Sequence, residues 1–220
     1  MNLFFIPSII ALFSILAPVL RYGKDHILPA NYVFKPAELQ EIVQTTLAEN
    51  PGANNTALFT ALGHKFSDRY GPYVKDLNYD DWHFSNAGGA MGTFFIFHAS
   101  FTEYLIVFGS ATGTEGHTGY HLADDYFIIV SGEQSAAYPG ENMPTIYKPG
   151  EMHHLSYGTA QQYAMPPGSF AIELAQGYIP TMLIFGFLDS IFSTADPFNL
   201  WLQIKFTTIS MFKNLLLGKI

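Results

Sequence analysis

Glu173 stands inside a short apolar run, Ser169-Phe170-Ala171-Ile172-Glu173-Leu174, which is a costly place for a carboxylate. A strand with apolar residues on both faces is buried on both faces. An acid there has to be protonated, paired or hydrogen-bonded. Pairing with a cation is hard to arrange, because Lys148 is the single Lys or Arg between Asp76 and Lys205. A second acid that shares a proton with Glu173, or a bound cation, answers the problem better, and Asp124 and Asp125 are the candidate acids. Two carboxyls sharing a site push one pKa toward neutrality, which suits proton transfer to and from a substrate. Tyr104, in the apolar run Tyr104–Phe108, carries a hydroxyl suited to orienting the carboxylate.

The histidines are the other chemical resource. His117 and His121 are four apart, Asp125 follows four later, and Pro149-Gly150 precedes His153-His154. This spacing loosely echoes the two metal motifs of cupin barrels, in which His and carboxylate on adjacent strands grip a metal. The His-x-His of the first motif is missing, so no metal site is expected. His117, His121 and His154 are instead expected to support the carboxyls. The chain has no Cys, which removes thiolate catalysis and Cys-ligated zinc. No Gly-rich loop sits in a nucleotide-binding context and there is no Gly-x-Ser-x-Gly elbow. A formal net charge of −8 argues against nucleic acid as a partner.

The elements that position these groups follow from texture. Short apolar or alternating runs from Trp82 to Gly177 are punctuated by Gly88-Gly89, Pro139-Gly140, Pro149-Gly150 and Pro166-Pro167-Gly168, which predicts an antiparallel barrel or sandwich. A small barrel of this kind holds one elongated apolar ligand. Before it, Leu39, Ile42, Val43 and Leu47, then Leu58, Phe59, Leu62, Phe66 and Tyr70, predict two core-facing helices. The uncharged stretch Leu3–Leu20 is read as a membrane anchor, since it reaches about 27 Å as a helix. After the barrel, Thr181–Phe192 is apolar but too short to span, and Asp196-Pro197 starts a last helix. There Asn199, Gln203, Thr207, Ser210 and Asn214 share a narrow face, with large apolar residues over the remainder, the profile of a helix lying in a membrane interface. Charged residues make up only 13% of the chain, as if lipid replaced part of its aqueous surface. The expected organisation is therefore α+β: an anchor over 1–24, helices over 25–80, the barrel over 81–178 and a membrane-associated helix pair over 179–220.

Several blocks in order then resemble one known family. Asn86–Gly92 (NAGGAMG), His98–Gly109, Gly113–Gly119 (GTEGHTG), Ala123–Phe127 (ADDYF), Phe170–Pro180 and Phe185–Thr194 are similar to the fungal C-8 sterol isomerases, whose family takes in the sigma non-opioid receptor. The resemblance implies a cupin-like antiparallel β-barrel, an N-terminal transmembrane helix and two C-terminal helices on the endoplasmic-reticulum membrane. It implies a homotrimer with Gly88–Gly92 near the subunit contacts. The activity it implies is a cofactor-free shift of a sterol Δ8 double bond to Δ7 in ergosterol synthesis, with cationic amphiphilic amines as inhibitors. Glu173 falls at the family's ligand-binding glutamate and Tyr104 at the tyrosine that orients it. Phe94, Ile106, Phe108, Met165 and Leu183 fall at pocket-lining positions. The receptor's second carboxylate lands on Phe127 in a gapless comparison. On an extended strand Asp125 shares a face with Phe127, while Asp124 aligns with another acid of the receptor. Both aspartates therefore stand as partners for Glu173, with a non-catalytic binder of sterols or amines as the alternative function.

Overall fold

Strand β10 (Ser169–Gly177) is buried along its whole length, as its two-sided apolar sequence requires. In the computed structural model, which describes residues 5–220 and the side chains of residue 12 and of residues 14 onward, it lies between β3 (Glu103–Ser110) and β5 (Ala123–Ser131), antiparallel to both. Period-two alternation divides these strands between two cores. Phe170, Ile172 and Leu174 join Leu105, Val107, Ile128 and Val130 in an outer core. Ala171 and Ala175 join Tyr104, Ile106, Phe108, Phe127 and Ile129 in an inner one. Glu173 sits between Ile106 and Phe127 in register, on the inner face.

The outer core is closed by α2 (Pro36–Glu49) and α3 (Asn55–Tyr70). Leu39, Val43, Leu58, Phe59, Leu62 and Phe66 are buried there, as their helical spacing predicts, and Asn54 caps α3 through the Ala57 N–H at 3.0 Å.

The other strands are β1 (His83–Ala87), β2 (Ala90–Ala99), β4 (Thr114–His117), β6 (Gln134–Ala137), β7 (Thr145–Tyr147), β8 (Met152–Leu155) and β9 (Gln162–Met165). They form two antiparallel sheets, ordered β1-β2-β3-β10-β5-β8 and β4-β9-β6-β7. The expected closed barrel is not formed: among the described residues no backbone pairing joins the two sheets. A backbone contact, from the His117 N–H to the Gly88 carbonyl at 2.9 Å, and side chains join them instead. His153 on β8 places Nδ1 2.8 Å from Gln134 Oε1 and Nε2 2.7 Å from Gln161 Oε1. Burial pushes His153 down to about 4. A neutral ring donates once and accepts once, so one of these glutamines must present its amide N–H.

Helix α1 (Phe5–His26) contains Pro18 and ends in charged turns with Arg21, Lys24 and Asp25. Among the described residues no helix is long and apolar enough to cross a membrane, so the expected transmembrane segment is not seen; Leu3 and Phe4 lie outside the described residues. The end of α1 turns its charge toward protein. Lys24 forms an ion pair with Asp124, and the Tyr178 hydroxyl donates to the Leu20 carbonyl at 3.0 Å.

After β10 come α4 (Ile179–Asp189) and α5 (Pro197–Leu216), the latter capped by Asp196 with Pro197 in its first turn. The polar face of α5 points inward. Asn199 accepts the Phe84 N–H at 2.9 Å, Ser210 accepts the Ala99 N–H at 2.8 Å, and Asn214 donates to the Ala99 carbonyl at 3.0 Å. Phe198, Trp201, Ile209, Phe212 and Leu216 are left exposed.

Below α5, Glu103 is fully buried and gathers four donors. It accepts the N–H groups of Val33 and Phe34 at 2.7 and 3.1 Å and the Gln176 amide at 2.7 Å, and it forms an ion pair with Lys219 at 3.0 Å. Lys219 also bonds the Asn31 carbonyl and Thr102. The segment before α2 and the end of the chain are thereby tied to one carboxylate.

Candidate active site

The inner faces of β3, β5 and β10, the β1–β2 turn, β4, β9 and the helices α4 and α5 enclose a cavity. It contains about 720 Å³ of non-atom space, part of it continuous with solvent. Phe94, Ile106, Phe108, Phe127, Leu183 and Phe185 give the walls their apolar character, and among the described residues no Lys or Arg lines them.

Asp125 and Glu173 meet in this cavity. Alternation along β5 puts Asp125 inward with Phe127 and Asp124 outward with Tyr126. The Asp125 and Glu173 carboxyls are within hydrogen-bonding reach of each other. Burial raises both above the ordinary carboxylate range, and for Asp125 the charge of Glu173 adds to the effect. Raised in this way, the pair favours sharing a proton over holding two charges. Asp125 Oδ1 is buried without a hydrogen-bond partner.

Asp124 is elsewhere. It lies on the outer face with Lys24, the Tyr157 N–H at 2.9 Å and His154 Nε2 at 3.1 Å. Burial works against its charge, but these three donors together hold it below its usual range. His154 lies outside the cavity as well, stacked on Tyr126 at 4.5 Å. His153, its neighbour, turns inward and stacks on Phe127 at 5.4 Å.

Tyr104 lines the cavity, but its hydroxyl meets Thr207 of α5 at 3.2 Å instead of Glu173. Met165 is buried in the inner core without lining the cavity. His117 and His121 both line it. Among the described residues no three His, Asp or Glu side chains converge as a metal site.

Sequence reasoning missed Tyr163, Phe185, Gln203 and Glu103. Tyr163 on β9 lines the cavity, and burial followed by the charges of Glu173 and Asp125 raises its hydroxyl pKa. Gln203 belongs to the polar face of α5, so its inward turn was the available signal. Glu103 opens the same apolar strand as Tyr104, a second acid in the setting that singled out Glu173.

Gly88 and Gly92, the ends of the Gly-x-x-x-Gly stretch, serve close contacts within the chain. A Cβ on Gly88 would strike the His117 carbonyl and Phe185, and one on Gly92 would strike the Gly109 carbonyl and Phe108.

Chemically, the site is a mostly apolar chamber with two facing carboxyls whose hold on protons is strengthened by burial. It can deliver a proton to an apolar ligand and stabilise the resulting cation beside a carboxylate. It can then accept a proton from a neighbouring carbon.

The profile of the family described as "ERG2 and Sigma1 receptor like protein" matches residues 9–219. The chain is 46% identical over 210 residues to a C-8 sterol isomerase of Neurospora crassa, covering 94% of this chain and 80% of that one. It is 45% identical over 219 residues to a C-8 sterol isomerase of Pyricularia oryzae, covering 98% and 96%. With the sigma non-opioid intracellular receptor 1 of Xenopus tropicalis it shares 33% identity over 177 residues, covering 80% and 77%.

Proposed function

The chain belongs to the ERG2 and Sigma1 receptor like family, and on that premise we propose that it is a C-8 sterol isomerase moving a Δ8 double bond to Δ7 in ergosterol synthesis. The observation that carries this reading is the Asp125–Glu173 pair, buried in a cavity that, among the described residues, no Lys or Arg lines.

The protonated member of the pair delivers its proton to carbon 9, and the alkene electrons form the new C–H bond. The cation left at carbon 8 faces the carboxylate. Loss of a proton from carbon 7 to that carboxylate places the double bond between carbons 7 and 8 and restores the shared proton. Walls such as Phe94, Phe108 and Phe127 keep water from capturing the cation. Cationic amphiphilic amines are held by the same carboxylate because they resemble that cation.

The helices fit a lipid setting. We propose that the outward apolar face of α5, with α4 beside it, rests in the endoplasmic-reticulum membrane, where the sterol is dissolved. The cupin-like relation of the two antiparallel sheets, which border one cavity, the N-terminal membrane anchor and the homotrimer stay part of this proposal.

The receptor relatives favour a second reading, a binder without turnover. Product formation separates the two. Purified protein given a Δ8 sterol should release the Δ7 isomer, and the pH dependence should carry the signature of the pair. An unperturbed carboxylic acid loses its proton as pH rises through about 4. Here burial pushes Glu173 up to about 7 and raises Asp125 as well, so the pair passes from two protons to one near neutrality and loses the second on the alkaline side. The mechanism needs one member protonated and the other ionised, so turnover should fall on the acid side as the lower member, Glu173, takes up a proton, and on the alkaline side as Asp125 loses its own. A rate that is flat across both limbs would rule the pair out as acid and base.

A further inference from the structure

The cavity has a second polar corner that the proton transfer does not use, formed by His117, Thr118, Gly119 and His121. Both imidazoles fold over Gly119, whose φ is +87°. Its N–H donates to His117 Nδ1 at 2.9 Å, and a Cβ there would strike the His121 ring and Phe185. These contacts fix the ring protons. An accepting Nδ1 leaves the His117 proton on Nε2. His121 Nε2 donates to the Thr118 carbonyl at 2.7 Å, so its Nδ1 is a bare acceptor. That Nδ1 is buried without a hydrogen-bond partner, in a residue 4% exposed, and burial keeps the ring neutral by lowering its pKa. Two other hydrogen-bonding groups of the cavity are already engaged. Thr118 Oγ1 accepts the Gln161 N–H at 2.9 Å and donates to the Gly119 carbonyl at 3.2 Å, and the Tyr104 hydroxyl meets Thr207.

An unpaired buried acceptor in an apolar chamber is costly unless a ligand completes it. We infer that His121 Nδ1 and His117 Nε2–H together receive the 3-hydroxyl of the sterol, the hydroxyl donating to the first and accepting from the second. This rests on the isomerase reading, under which the ligand is an apolar ring system with one hydroxyl at its end. A hydroxyl both donates and accepts, and the two ring tautomers supply the complement. With ring A anchored at this corner, the sterol's register along the cavity is set, and with it which carbon meets Asp125 and Glu173. His117 and His121 act as positioning residues, taking no part in the proton transfer.

The test compares a 3-hydroxy Δ8 sterol with its 3-deoxy analogue on wild type, His121→Phe, His121→Gln and His117→Phe. Wild type should favour the hydroxylated sterol in kcat/KM by roughly five- to tenfold, the yield of one neutral hydrogen bond. In His121→Phe that preference should collapse toward one, mainly through a higher KM for the hydroxylated sterol. His121→Gln, which again offers an acceptor, should restore part of it, and His117→Phe should weaken it independently of whether the His121 variants fold. An unchanged preference in a folded His121→Phe would overturn the inference and send the hydroxyl to another lining group such as Ser85 or Gln203. Direct binding of both sterols to the same proteins reads the corner without turnover. Absence of turnover in wild type therefore counts against the isomerase reading alone, while an absent binding preference counts against this corner.

Discussion

Glu173→Gln should lower turnover of a Δ8 sterol by about 10³-fold, within the range that a positioned acid–base group contributes. The amide has nearly the same shape as the carboxyl, so the inner face of β10 should pack as before. It cannot carry the shared proton or place a negative charge beside the cation, and both steps fail together. Asp125→Asn should fall by a similar factor, because either change dissolves the pair. Asp124→Asn separates site from surroundings. That residue lies on the outer face with Lys24, His154 and the Tyr157 N–H, so its loss should loosen the α1 contact and leave turnover within a few-fold of wild type. Rates of product formation from purified, folded variants decide the matter. Near-normal turnover by Glu173→Gln would remove Glu173 from the chemistry.

The largest stability effect is expected at Glu103. It is fully buried, receives two backbone N–H groups and the Gln176 amide, and balances the charge of Lys219. Removing one member of a buried ion pair strands the other and costs about 3–5 kcal/mol. Glu103→Ala should therefore lower Tm by on the order of 10 °C for a domain of this size. Glu103→Gln keeps an acceptor for the backbone N–H groups while losing the charge, so it should fall between alanine and wild type. Thermal melts of the three proteins in one detergent or lipid condition give the comparison. A Glu103→Ala protein melting with wild type would mean that Lys219 finds another partner and that the knot is not a stability centre.

Much of this arrangement was legible in period-two and period-3.6 patterns. The two-sided apolar run around Glu173 marked a buried strand, and the cation-poor sequence about it pointed to a second acid. Alternation from Phe127 favoured Asp125, yet Asp124 stayed open until the strand's faces were known, because a shift of one residue exchanges them. The same step separates His153 from His154, and one step on β8 decides which ring turns inward. The stripes of α2 and α3 were plain because core burial imposes them.

What sequence left out depends on partners distant in the chain. The Tyr104 hydroxyl goes to Thr207, a residue 103 positions away on α5. Glu103 looks like any acid at a strand's start until Val33, Phe34, Gln176 and Lys219 arrive from three other segments. Regular short strands do not tell a closed ring from two sheets. Here the choice is made where β8 and β6 are bridged through His153 and Gln134 without backbone pairing. The polar stripe of α5 was visible, but its inward direction was set by the Phe84 N–H, the Ala99 N–H and carbonyl, and Tyr104 waiting beneath it.

The most direct measurement is the isotopic fate of carbon 9. Purified wild-type protein is given a Δ8 sterol in deuterium oxide, and the product is examined by mass spectrometry and NMR. If the shared proton of Asp125 and Glu173 is the one delivered, and solvent recharges the pair between turnovers, the Δ7 product carries one deuterium at carbon 9. No product from a folded protein that still binds the sterol, or the same product at an undiminished rate from Glu173→Gln, would contradict proton delivery by this pair.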